Sequence, residues 1–468
     1  MHNSARHIWG ILMNSGLESA PVRTLVAGIA LLALAGVVTA MQAPAVTVIM
    51  GATLINPAGD AIPNTIITIE GSRIRSVVPL ARGNASTGSG TGQIIDATGK
   101  FVIPGLADMH NHLGTGGLSL GPSPENYIGN LGRLLAVGVT TVFDPSVPEN
   151  DFTKLKAAAA ADSAAYPRFF GTGPSITVEG DTLGSESPKP KTPDEARAVV
   201  QKLKALGVDA IKIVRDDLTW ASTQTMPLMA TEVLQAIVDE AHRLQLKVYV
   251  HAPQMARARE ALRAGVDGLL HGIVDEPIDQ DFISLMKKNG ALYVPTLGMF
   301  EDVADVSAFA RRQAPYWDQL GLQPPAIYAA YISGFGVQLF KTLLNNSAST
   351  KQHLPVLRAN LTRVFDAGIP VVMGSDTGFF GVLLGVATQI EMELMVEGGL
   401  TPIDAIRSAT INAARMLGKE KDLGSVEAGK LADLLILDAN PLDDIKAIRR
   451  INRVVKGGVV YDPARLPR

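Results

Sequence analysis

The chain has 468 residues, 47% of them hydrophobic and 19% charged, so it can bury a large core and is not disordered. Its net charge of −3 gives no electrostatic reason to expect nucleic acid or an anionic membrane surface as a partner. It has no cysteine, which excludes disulfides, thiolate nucleophiles and Cys-ligated zinc; any metal must be held by histidine, carboxylate or a modified lysine.

Residues 1–43 read as a targeting segment. No charge occurs between Thr24 and Gly59, and Thr24–Val38 is an apolar core behind Arg23, followed by the small residues Val38-Thr39-Ala40 at a cleavage point before Met41. That core spans about 15 residues against the roughly 20 of a membrane-crossing helix, so a secretory signal is expected over an uncleaved anchor. Met13 as the start would give a more ordinary signal length. The expectation is an exported protein, periplasmic or secreted, that meets a membrane only through this segment.

From Val46 to about Ile103 the chain reads as short strands and turns: Val46–Met50, Thr65–Ile69 and Ile74–Val78 are β-branched runs, and Arg82–Gly92 is a Gly/Ser/Thr loop. Ala432–Leu437 and Val454–Tyr461 resume the style. Residues 44–103 plus 426–468 are therefore expected to form one discontinuous β-sandwich domain. Between them, 104–425 alternates strands with helical stretches such as Thr231–Leu246 and Gln254–Ala264. Eight strands are expected: Val102–His110, Val139–Asp144, Arg168–Thr172, Ala210–Val214, Lys247–His251, Gly268–His271, Leu292–Thr296 and Ile369–Asp376. The fold class is thus α/β, a (β/α)8 TIM barrel, an architecture that takes about 250 residues before insertions. Two long connections, Gly173–Lys191 and the insertion 300–363, fall on the face where barrels carry active sites. The insertion's aromatics, from Phe300 to Phe340, read as the core of a helical insertion, as a substrate wall, or as both.

Histidine placement is the strongest chemical signal. Of eight, His2 and His7 lie in the targeting segment, His242 in a helix and His353 in the insertion; His110, His112, His251 and His271 all fall at strand ends. Side chains alternate along a strand, so the imidazoles of His110-Asn111-His112 should point to one side and offer two nitrogens to one metal. His251 and His271 end successive apolar strands, where the alternatives are a satisfied core histidine and a ligand. Asp376 ends Val371–Asp376 and needs a partner for its desolvated carboxylate, either a helix N-terminus or a metal. Lys212 lies between β-branched residues in the fourth strand. An ammonium there must be paired, with Asp216 or Asp217 for example, or hold a substrate anion, or be chemically changed to a carbamate. Arg215 lies just beyond that strand, within reach of a substrate carboxylate or of Asp216 and Asp217.

These stretches resemble the amidohydrolase superfamily, and within it the imidazolonepropionase-like branch with its metal-dependent prolidases and carboxypeptidases. The resemblance rests on IPGLADMHNH (103–112), GVTTVFD (138–144), DAIKIV (209–214), VYVHA (248–252), AGVDGLLHG (264–272), ALYVPTL (291–297), VVMGSDTG (371–378) and GSVEAGKLADLLILDANPL (424–442). It implies two divalent metal ions, with zinc the default for imidazole and carboxylate ligands. His110, His112 and Asp376 would hold one, His251 and His271 the other, and carbamylated Lys212 would bridge them. A metal-bridged hydroxide would be the nucleophile, with Asp376 as catalytic general base. Arg215-Asp216-Asp217 departs from the glycine-rich turn of many relatives. The expected reaction is hydrolysis of an amide bond in a dipeptide or N-acyl amino acid, Arg215 binding the substrate. A lactonase, cyclic amidase or phosphotriesterase on the same site is the alternative, and a non-catalytic periplasmic metal- or solute-binding protein is the alternative of another class. A mononuclear site with unmodified Lys212, and a homo-oligomer, also stay open.

Overall fold

The computed structural model describes residues 45–80, 92–115, 124–181, 187–320, 345–379 and 381–466. The targeting segment 1–43, most of the Gly/Ser/Thr loop and the aromatic stretch 321–344 lie outside the described residues.

Five strands open the chain: β1 (Val46–Leu54), β2 (Ile62–Glu70), β3 (Arg73–Pro79), β4 (Gln93–Asp96) and β5 (Phe101–Pro104). The first half of β1 pairs in parallel with β4 and its second half with β5. Gly51 makes this exchange: it sits at φ +83° beside a register shift, and a Cβ there would lie 2.5 Å from Thr98 Oγ1. The run expected as a single strand, Val102–His110, breaks into β5 and β6 (Leu106–Asp108). Gly105 is the joint. Its N–H donates to Asp433 O (2.8 Å), and Thr140 Oγ1 lies 2.3 Å from where a Cβ would stand, too close for any other residue.

The strands β7 (Val139–Asp144) and β8 (Arg168–Gly171) continue in parallel from β6, and β9 (Ala210–Val214), β10 (Lys247–His251), β11 (Gly268–Leu270) and β12 (Leu292–Val294) form a second parallel set. These strands occur where the apolar runs place them. Ile369–Asp376 differs: it is extended chain that meets β12 through one bridge, Val371 to Tyr293. Pro370 has no N–H to give a ladder, although its carbonyl accepts from Tyr293 (3.1 Å). Further contacts run from Val372 N to Tyr293 O (2.9 Å) and from Met109 N to Met373 O (3.0 Å), while Ile176 bridges to Ile213 across the other gap.

Helices Thr231–Arg243, Met255–Ala264 and Gln280–Asn289 follow successive strands. The insertion supplies helices Leu297–Ala304, Val306–Leu320 and Ser347–Asp366. Phe300, Phe309 and Tyr316 are buried in the main core, as helical-core residues would be. The C-terminal strands β13 (Leu434–Leu437), β14 (Ile451–Lys456) and β15 (Val459–Tyr461) return to the first sheet, in the order β15-β14-β13-β5-β1-β2-β3. Strand β13 is apolar throughout because both faces are covered. Leu434 and Ile436 join Val102, Ile49 and Ile67 in the sheet's own core, while Leu435 and Leu437 join Ile103 in the main one. Together these elements are a TIM-barrel-type α/β fold. Among the described residues no helix is long and apolar enough to cross a membrane.

Candidate metal centre

Past β6 the backbone stays locked to its neighbours while the side chains of His110 and His112 enter the cavity. Asn111 N donates to Phe143 O (3.1 Å), His112 N to Thr377 O (2.7 Å) and Asp376 N to His110 O (2.7 Å). The two imidazoles come to the same side, as the spacing predicts, and meet one oxygen: Asp376 Oδ1 lies 3.3 Å from His110 Nε2 and 3.1 Å from His112 Nε2. Asp376 reaches this point from a left-handed backbone, φ 56°.

Asp108 holds the two loops together from below. Fully buried, its carboxylate accepts from Ser375 N (3.0 Å), Ser375 Oγ (2.6 Å), Thr388 Oγ1 (2.7 Å), Asn111 Nδ2 (3.2 Å) and His110 N (3.3 Å). Asp144, at the end of β7, accepts from Leu113 N (2.9 Å) and Ser146 N (3.0 Å) and lies 3.8 Å from His112 Nδ1. Like Asp376, Asp144 is a carboxylate closing an apolar strand, a signal present in the sequence.

His251 and His271 line the same cavity, their ring centroids 4.2 Å apart, with His271 4.8 Å from His110. Each has one nitrogen engaged: His251 Nε2 lies 2.8 Å from Asp216 Oδ2, and His271 Nδ1 lies 2.8 Å from Thr296 Oγ1. Thr296 was visible in the sequence only as the end of a strand. Lys212 projects into this cavity from β9. Neither aspartate proposed as its partner takes it: Asp216 binds His251, and Asp217 binds Arg257 (3.0 Å). Arg215 is not brought to the cavity. Its guanidinium is buried against Glu260, with Nη2 to Oε2 at 2.5 Å and Nε to Oε2 at 2.8 Å, and Nη1 donates to Met229 O (2.5 Å).

Burial lowers the pKa of His110 and His271 well below the usual imidazole value, leaving both neutral, the form that binds metals. Burial would also lower His112, but the carboxylates of Asp376 and Asp144 reverse the direction. For Asp376 burial acts upward and is outweighed by His110, His112 and Lys212, which hold it ionised. Burial brings Lys212 down to about 7, opposed by Asp376 and Asp144. Asp144 is pushed up to about 6 by burial.

The donor set fits a divalent ion. Ligand atoms about 2.0–2.1 Å from tetrahedral zinc stand roughly 3.3 Å from one another, and the Asp376 oxygen already has this spacing from both Nε2 atoms. One nitrogen or oxygen from each of His110, His112 and Asp376 lies within 4.8 Å of the others. Beside them is a cavity of 270 Å³, walled by Val214, Leu218, Trp220, Met299, Phe379 and Tyr127, with Ser146 and Ser175 as polar points.

A TIM-barrel-type fold with imidazoles and a carboxylate converging at its strand ends defines a hydrolase with a candidate metal centre. The chain belongs to the amidohydrolase family, whose profile matches residues 101–461. It is 26% identical over 408 residues to the ochratoxinase of Aspergillus niger, covering 77% of this chain and 75% of that one. It is 25% identical over 412 residues to the imidazolonepropionase of Micrococcus luteus, covering 85% and 94%. A crystal structure of a Xaa-Pro dipeptidase with bound methionine in the active site superposes with a TM-score of 0.72 at 26% identity, covering 89% of this chain and 100% of that one. The protein is a hydrolase acting on amide bonds.

Proposed function

We propose that the protein hydrolyses the amide bond of a dipeptide or N-acyl amino acid, using two divalent ions, zinc by preference. The observation that carries this reading is the convergence of the Asp376 carboxylate with two imidazole nitrogens on the floor of a cavity with an apolar wall. The names of a dipeptidase and an ochratoxinase among the similar proteins support the substrate class.

His110, His112 and Asp376 would hold one ion, and His251 and His271 the other. Lys212 would bridge them once CO2 has added to its neutral amine, forming the N–C bond and releasing a proton. Bound ions would polarise the scissile carbonyl and make water nucleophilic at neutral pH. Asp376, kept ionised by its neighbours, takes the proton from the attacking water and returns it to the departing amine. The apolar wall excludes water and orients the acyl or amine substituent.

The finer architecture belongs to the same proposal: a closed (β/α)8 barrel over 104–425 and a sandwich from 44–103 with 426–468. The bridges Val371–Tyr293 and Ile176–Ile213 support closure. We also propose export directed by 1–43, a small-molecule or dipeptide substrate, and a homo-oligomer as the quaternary state. Steady-state assays of metal-loaded enzyme on Xaa-Pro and other dipeptides and on N-acyl amino acids test the reading. Turnover of at least one class is expected; failure on all of them, with turnover of a lactone, cyclic amide or phosphotriester, would overturn it.

A further inference from the structure

We infer that Asp216 is a positioning residue serving two parts of the site at once: it fixes which nitrogen of His251 can face a metal ion, and it holds Trp220 in the cavity wall. This rests on the two-ion reading above.

Asp216 follows β9, and its side chain is fully buried. Oδ1 accepts from Leu218 N (2.7 Å), and Oδ2 accepts from the Trp220 indole Nε1 (3.0 Å) while lying 2.8 Å from His251 Nε2. An amide N–H and an indole N–H can only donate, and a carboxylate can only accept. The hydrogen between Asp216 and His251 must therefore sit on Nε2, which leaves Nδ1 as the nitrogen with a lone pair to give. Thr296 cannot decide the tautomer of His271 in this way, because a hydroxyl both donates and accepts. Neighbouring charges do not compete: Arg215 is held by Glu260 and Asp217 by Arg257.

The same Oδ2 anchors the wall. Trp220 and Leu218 both line the cavity, and both are tied to Asp216. The indole packs edge-on against Phe300 with centroids 5.1 Å apart, and the Trp220 carbonyl accepts from Thr350 Oγ1 (3.1 Å) in the insertion. One carboxylate thus connects the ligand of the second ion to the surface that meets the substrate.

The full-length protein is tested as wild type, Asp216→Asn and Trp220→Phe, with zinc affinities read by competition with a chromophoric chelator and folding checked by circular dichroism. An Asn amide in this place cannot serve all three donors, since its NH2 must meet one of them. Asp216→Asn is expected to weaken one of two zinc sites by about 10–100-fold and leave the other within threefold. Trp220→Phe is expected to keep both zinc ions and raise KM with kcat retained. Equal binding by Asp216→Asn and wild type, or equal weakening of both sites, would overturn the inference. If Asp216→Asn does not fold, 15N imidazole spectra of metal-free wild type decide, with His251→Gln for assignment. An Nε2–H tautomer supports the inference and an Nδ1–H tautomer overturns it. A wild type that binds one zinc ion overturns the two-ion reading, and the tautomer still tests Asp216 separately.

Discussion

Replacing Thr296 by valine removes one oxygen and keeps the branched shape. That oxygen is 2.8 Å from His271 Nδ1, and the two residues are 0% and 2% exposed, so no water takes its place. If His271 binds an ion through Nε2, Nδ1 carries the hydrogen and Thr296 accepts it. Valine then leaves a buried N–H without a partner, at a cost of about 1–3 kcal/mol, which corresponds to roughly 5–150-fold in zinc affinity. Thr296 sits at φ 46°, a strained position for a branched residue, and the strain is the same for valine. The turn itself is held elsewhere: the buried Glu391 carboxyl, raised to about 8 by burial, accepts from Leu297 N and Gly298 N, both at 2.8 Å. The comparison therefore isolates the hydroxyl. Zinc competition on wild type, Thr296→Val and Thr296→Ser measures it, with serine expected to restore most of the affinity. A valine variant that binds zinc within twofold of wild type, or a serine variant no better than valine, would show that the Thr296 hydroxyl does not hold His271 for the ion.

Three further outcomes follow from individual contacts. Asp376→Asn should lower kcat by about 10²–10⁴-fold in a folded protein, and turnover equal to wild type would remove Asp376 from proton transfer. Lys456 is fully buried, 3.6 Å from Asp433 Oδ1, and burial lowers its pKa from 10.5 to about 8 despite that carboxylate. At about 1.4 kcal/mol per pH unit this corresponds to roughly 3 kcal/mol of unfavourable burial. Between pH 8 and 10.5 the unfolded chain holds the proton that the folded chain lacks, so stability from this group rises with pH. In urea titrations Lys456→Met should be more stable than wild type at pH 7 and lack that rise; a less stable variant contradicts the assignment. Arg215→Lys should cost about 1–3 kcal/mol of stability through Glu260 and Met229 O, with KM unchanged for substrates bearing a carboxylate. A tenfold KM increase at unchanged stability would return Arg215 to the substrate.

What the sequence made legible was whatever short-range pattern encodes. Apolar runs placed β7, β9 and β10 within a residue of their ends, and alternation brought His110 and His112 to one side. Partner choice was not legible. Arg215 has two adjacent aspartates yet turns to Glu260, 45 residues away on the next helix but one, because Asp216 is already committed to three donors. The break at Gly105 was hidden because the chain is apolar on both sides of it, over Val102–Pro104 and at Leu106 and Ala107, although the two halves enter different sheets.

Around the candidate metal centre the chain leaves its regular strands, and the backbone shows it. His271 (φ 130°), Thr296 (φ 46°) and Asp376 (φ 56°) are three of the six non-glycine residues with positive φ among the described residues. Such positions cost about 1–3 kcal/mol each and persist only where the surroundings fix them. Around these positions the surroundings are a second layer of buried polar groups. Asp108 joins the His110 loop to the Ser375–Thr377 turn, Glu391 pins the turn after Thr296, and Thr296 holds His271. Burial pushes the Asp108 carboxyl up, and donors from Ser375, Thr388 and Asn111 oppose that rise, so both loops shape the electrostatics of this one group. The separation of Asp376 from the two imidazoles therefore depends on residues outside the lining of the cavity. A hydrophobic pattern cannot reveal them, since each looks from the sequence like an ordinary polar residue at the end of an apolar run.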